Sequence, residues 1–224
     1  MEFEASPTSG SVPRALRAVK TLTGAALASL LVACVSNPPN AAGVASVDVD
    51  PSRKGPVSGV GVEGQDIVAM TDQMMRDMLQ EPVFSNNPKR PRVIIDAAYF
   101  ANESTQAINK NMITQRLLVN LNRAAKSKML FINRQNAAMV EQERELKRTG
   151  TVGTGTTGLT KAPEGADYRL SGKITSLDSR SPKTGLIQRY SQISFEMTDL
   201  ESGELVWTGI YEFTRAAADD VVYR

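Results

Sequence analysis

There is no histidine anywhere in this chain of 224 residues. That excludes histidine-based triads, imidazole general bases and the common zinc-ligand sets. There is a single cysteine, Cys34, so no intramolecular disulfide can form and stability has to come from packing. Aromatic residues are 5% of the sequence, with one tryptophan. Lysine and arginine total 26 against 24 acidic residues, a formal charge of +2. A near-neutral chain lacks the basic footprint that nucleic-acid binding requires. The main apolar run, Leu22 to Ala33, is too short to cross a hydrocarbon core of about 30 Å as a helix.

What precedes and follows that run gives it a meaning. Arg14, Arg17 and Lys20 supply a positive n-region, and the run itself fits the h-region of a secretory signal peptide. It ends in Leu31, Val32, Ala33 and Cys34, the small-residue-then-cysteine pattern of a bacterial lipobox. The pattern predicts cleavage between Ala33 and Cys34 and acylation of the Cys34 thiol. Glu2 and Glu4 are out of place in an n-region and point to an initiation site further in. Each buried methylene contributes about 0.8 kcal/mol, so two or three acyl chains anchor stably where one would not. In the lipoproteins that this segment resembles, an aspartate directly after the cysteine commonly retains the protein at the inner membrane. Here Val35 and Ser36 follow, which predicts the outer membrane, periplasmic side.

The sequence divides into a signal peptide (1–33), a lipidated cysteine with a flexible tether (34–62) and one globular domain (63–224). The tether is rich in Pro, Gly, Ser, Asn and Ala and shows no helical period. A coil of about 28 residues has an r.m.s. span of roughly 30 Å and a contour of roughly 90 Å. The alternation in "VASVDVD" leaves a short strand open. In the domain, "GQDIVAMTDQMMRDMLQEP" predicts a helix with Ile67, Thr71, Met74, Met75, Met78 and Leu79 on one face, stopped by Pro82. "RPRVIIDAAYFAN" reads as one buried strand. "NKNMITQRLLVNLNRAAK" reads as a helix burying Ile113, Leu117, Leu121 and Ala124. A short strand, "KMLFINR", and a third helix, "QNAAMVEQERELKR", follow. Three alternating strands close the chain, the last placing Leu205, Trp207, Tyr211 and Phe213 on one face. The expected fold class is α/β (α+β): a single domain with a central, mainly antiparallel or mixed sheet flanked by helices.

Three motifs invite an enzymatic reading and fail their contexts. "GTGTTG", Gly153 to Gly158, satisfies G-x-G-x-x-G, but a charged helix precedes it and no helix follows, so it reads as a loop. "KTG", Lys183 to Gly185, has no S-x-x-K nucleophile elsewhere in the chain and reads as a hairpin turn. Glu141, Glu143 and Glu145 could hold a cation. Their spacing to Arg144 and Lys147 instead matches a solvated helix face with ion pairs at i,i+3 and i,i+4. Asp96 follows an apolar strand core and reads as a capping or pairing residue. These residues describe a binding protein and no enzyme, with no catalytic, metal or cofactor residue and no small-molecule substrate.

The order of elements, with "GQDIVAMTDQMMRDML", "GADYRLSGKITSL" and "FEMTDLESGELVWTGIYEF", resembles the penicillin-binding protein activator LpoB family. The turn of aspartate-x-x-serine-glycine followed by valine-tryptophan carries the resemblance most specifically. It implies a domain like that at the TolB N-terminus, and an outer-membrane lipoprotein reaching through the peptidoglycan. Such a protein would dock on a class A penicillin-binding protein and stimulate its glycosyltransferase and transpeptidase activities. The alternative is a non-enzymatic envelope scaffold or assembly lipoprotein of the TolB or CsgG type. The candidate docking surfaces are the exposed sheet face and the loops around 101–110 and 150–165. Cys34→Ala is expected to abolish acylation and release the protein from the membrane. Fractionation after a high-salt wash checks this, and retention with the outer membrane refutes the lipobox.

Overall fold

A computed structural model describes residue 43 and residues 45–223, except 126, 159–160 and 219–220. Cys34 and the segment 1–33 lie outside the described residues. Of the "VASVDVD" alternation, residues 45–50 are exposed coil. No described helix is long and apolar enough to cross a membrane.

The elements are helix α1 (Gly64–Gln80), the short helix α2 (Pro82–Ser85), strands β1 (Arg92–Ile94) and β2 (Phe100–Asn102), helix α3 (Lys110–Ala124), strand β3 (Leu130–Phe131), helix α4 (Ala137–Arg148), and strands β4 (Tyr168–Arg180), β5 (Ile187–Asp199) and β6 (Leu205–Ala217). They build one mixed sheet in the order β3-β1-β4-β5-β6, with β2 also on β4. The first three strands pair parallel to their neighbours. β4, β5 and β6 form an antiparallel meander. The expected fold class holds.

Helix α1 buries Ile67, Met70, Thr71, Met74 and Met78 along one stripe. Met75 and Leu79, expected on that stripe, lie at its half-buried margin. Pro82 ends α1 as expected and also starts α2, which the sequence did not announce. Helix α3 lies beside α1, with Arg116 donating to the Thr71 hydroxyl at 3.0 Å and Asn120 to Asp72 at 2.9 Å. It buries Ile113, Leu117 and Leu121 as expected. Ala124 does not join them. The helix stops there, and Ala125, just past the last turn, faces the core in its place.

Two strands differ from expectation for local reasons. The single strand expected over "RPRVIIDAAYFAN" is two. β1 lies against Tyr168 and Arg169, and β2 rejoins the same flank of β4 at Gly172 to Ile174. Between them Asp96 needs polar partners that a buried ladder does not supply. Its carboxylate accepts from the Ala98 N–H at 3.0 Å, which turns the chain off the sheet. In β6 an extra residue, Val206, breaks the register. Met197 faces Trp207, while Thr198 faces Leu205. A one-residue slip reverses the side chain. Leu205 therefore leaves the core face and is 57% exposed. The turn before it is built as expected, with Gly203 at φ 78° and Asp199 accepting from the N–H groups of Glu201 and Ser202.

Across the core face one row runs Gly172, Phe195, Gly209 on neighbouring strands. The Phe100 ring occupies the space above Gly172, and Met74 and Trp207 occupy the space above Gly209. Trp207 is 5% exposed, and its indole N–H donates to Asp77 at 3.1 Å, joining β6 to α1. Trp207→Ala is expected to cost about 3–5 kcal/mol. Urea unfolding followed by circular dichroism measures it, and a water-exposed emission spectrum in the native protein would contradict the burial on which it rests.

Candidate protein-docking face

Alternation along β4, β5 and β6 gives the sheet two unlike faces. One carries Leu170, Ile174, Ile193, Phe195, Met197 and Trp207 into the core beneath α1 and α3. The other carries Ser171, Lys173, Ser194, Glu196, Thr208 and Ile210, half-buried or exposed, and no described helix covers it. Its polar and apolar residues are interspersed. Lys173 pairs with Glu103 at 3.3 Å, and the Tyr190 hydroxyl donates to Glu212 at 2.8 Å. That bond to a carboxylate, helped by partial desolvation, raises the Tyr190 phenol above its ordinary value.

The most structured part of this face lies where β1 breaks. Asp96, 4% exposed, accepts two bonds from Arg169, at 2.9 and 2.8 Å. The guanidinium lies over the Tyr99 ring, 4.4 Å from its centroid. The Tyr99 ring itself is 63% exposed. Tyr99 and Arg169, with Ser171, Thr198 and Leu200, line a shallow depression of about 330 Å³. An exposed aromatic fixed by an arginine that is itself held by a buried carboxylate is a rigid contact point. Tyrosine and arginine are enriched among residues that dominate protein interfaces.

The other sequence candidates fall elsewhere. Asp96 pairs, as its position suggested. Gly153 to Gly158 lie in coil with no strand before and no helix after. Lys183 to Gly185 form the β4–β5 turn, with Gly185 at φ 73°. Glu141 pairs with Arg144 at 3.7 Å and Glu143 with Lys147 at 3.7 Å, on a helix with no buried residue. No described cluster of three acidic residues could hold a metal ion. The 101–110 loop braces the fold. Gln106 bonds both backbone groups of Val62, and Thr105 bonds Ser176 and Asp178. Near that loop Asp178 is gripped by Arg189 at 2.7 Å through two bonds, which lowers its carboxyl below the ordinary value. The 150–165 loop is largely exposed, and Arg134 and Arg144 hold it at the carbonyls of Glu164 and Lys161. Beside it a hollow of about 650 Å³ is lined by Phe131, Ile132, Val140 and Pro163 together with Arg134, Glu141 and Glu164, which are engaged with the Glu164 carbonyl, Arg144 and Arg92 respectively.

Tyr99 and Arg169 were not singled out by sequence reasoning. The available signal was Asp96 itself, since a carboxylate beside an apolar strand core demands a cation on the neighbouring strand.

The described residues thus build a single mixed α/β domain with one face of its sheet free of helices and no described helix long and apolar enough to cross a membrane. More specifically, the chain belongs to the LpoB family, described as peptidoglycan-synthase activators, whose family model matches residues 66–213. It is similar to the LpoB C-terminal domain from Salmonella enterica, at 18% identity over 66% of this chain and 98% of that one, with a TM-score of 0.40. It is also similar to the lipoprotein GNA1162 from Neisseria meningitidis, at 16% identity over 59% and 88% of the two chains, TM-score 0.30. The PelC dodecamer from Paraburkholderia phytofirmans is similar at 14% identity over 59% and 74%, TM-score 0.29. No curated protein matches the chain.

Arg169→Ala is expected to cost about 3–5 kcal/mol, because it strands a buried carboxylate without its cation. Tyr99→Ala, removing an exposed ring, is expected to stay within about 1 kcal/mol. Parallel urea titrations of the two variants check the contrast.

Proposed function

We propose that this chain is an outer-membrane lipoprotein, anchored at Cys34 on the periplasmic side, that binds a class A penicillin-binding protein and raises its activity. It contributes no catalytic group of its own. Membership of the activator family carries this reading. The mixed polar and apolar sheet face around Tyr99 and Arg169 supports a docking surface of specific contacts over a field-driven one.

An activator can act only by binding the active conformation of its partner more tightly than the inactive one. A tenfold shift in that equilibrium requires a difference of about 1.4 kcal/mol. A modest interface with one rigid aromatic–arginine contact can supply it.

The test is a lipid II polymerisation assay with a purified class A enzyme from the same cell, with and without this protein. The expected result is a faster rate that saturates with binding, and a weaker response with Tyr99→Ala at unchanged stability. No rate change at saturating concentration, or no binding to any class A enzyme, overturns the activator role.

A further inference from the structure

The sheet ends in an unpaired edge. β6 pairs with β5 on one side, and among the described residues nothing pairs with the other. Such an edge presents a row of backbone donors and acceptors to any extended chain. Protein edges are ordinarily blunted by lysine, proline, shortness or a cover. β6 runs from Leu205 to Ala217 and contains neither lysine nor proline. Its charges are Glu212, which accepts from Tyr190, and Arg215, which is turned inward onto Asp66 and the Gly61 carbonyl.

Two features bound the usable part of the edge. The bulge at Val206 interrupts it at the start, and the engagement of Arg215 with Gly61 occupies its end. The regular window is Trp207 to Thr214. Within it the sequence is complementary to itself. In antiparallel pairing about a two-fold axis at Ile210, Ile210 meets its own copy and Thr208 faces Glu212, a hydroxyl donor opposite a carboxylate. On the opposite face Trp207 meets Phe213, and Tyr211 lies across from Gly209. Aromatic pairs are favoured cross-strand neighbours. No two like charges face each other in this register, whereas centring on Glu212 would oppose two carboxylates.

We propose that two copies of this chain associate through β6, antiparallel about Ile210, to form one continuous sheet. This pairing uses the β6 edge, while the Tyr99–Arg169 contact point of the docking face lies toward the opposite border of the sheet. The two-fold axis stands perpendicular to the sheet, so both docking faces point the same way.

The test uses the full chain carrying Cys34→Ser, so that an introduced thiol has no other cysteine to meet. Mixing Thr208→Cys chains with Glu212→Cys chains under mild oxidation is expected to give a linked pair at least about tenfold faster than either chain alone. Ile210 is 48% exposed, so Ile210→Lys leaves the core untouched and sets two cations on the axis. That variant is expected to weaken self-association about tenfold or more in velocity sedimentation, equivalent to about 1.4 kcal/mol. An unchanged far-ultraviolet circular dichroism spectrum verifies that it is folded. A wild-type chain that sediments as a monomer at all concentrations overturns the proposal, including when its edge takes a strand from another protein. So does cross-linking indifferent to register, or a dimer that Ile210→Lys leaves intact.

Discussion

The close approach of helix and sheet at the row Gly172, Phe195, Gly209 is the constraint to which the rest of the domain is fitted. A side chain at either glycine would meet the Phe100 ring or the Met74 thioether. With both positions empty, Phe100 tilts against Phe195 at a centroid distance of 5.4 Å, and α1 settles onto β6 beside Trp207. The methionines of α1 complete the seal, since their unbranched chains fill the irregular space above a twisted sheet. The bare opposite face follows. Both packed helices lie on the same side, so the strands need apolar residues on that side only.

Two buried carboxylates secure the pieces that this packing does not reach. Asp66 fixes the first turn of α1 through Arg215 near the end of β6, at 2.6 and 2.8 Å, while also accepting from the Glu63 N–H. Asp96 fixes the break between β1 and β2 through Arg169. In each case the acid sits on an irregular or helical segment and the arginine on a long strand of the meander. Such pairs add little net stability over apolar replacements, but losing one partner is costly. They act as registration points that set where helix and loop meet the sheet.

Much of this was legible in the residues. The apolar period of α1 and α3, the alternation of β4 to β6 and the Asp199–Gly203 turn each depend on local chemistry, and each stands where local chemistry put it. The departures arise from longer-range demands. Leu205 has a core-facing phase until Val206 inserts one residue, and no alternation pattern announces a bulge. Ala124 carries a helical period that the chain abandons one residue before the core is closed. The continuous apolar look of "RVIIDAAYF" hides a break that Asp96 imposes only because Arg169 waits on the neighbouring strand. Asp66 was not singled out, because an acidic residue in the first turn of a helix ordinarily faces solvent. Its partner, 149 residues on, could not be chosen from sequence alone. The candidate docking face is the harder case, because exposed residues are free of packing constraints and no sequence pattern marks them out.

The segment that enters the domain is held unusually well for a chain lying outside the helices and the sheet. Gly59 donates to Glu63 at 2.7 Å, and Gly61 donates to the Tyr223 hydroxyl at 2.8 Å and accepts from Arg215. Val62 is bracketed by Gln106 on both its N–H and its carbonyl, as a neighbouring strand would bracket it. A pull on the chain upstream of Val60 therefore reaches α1 only after loading bonds to three distant parts of the fold together: the 101–110 loop, the end of β6 and the C-terminal tail. Bonds loaded in parallel share force, while bonds loaded in sequence unzip one by one. The domain is built to stay folded while tugged from its N-terminal side.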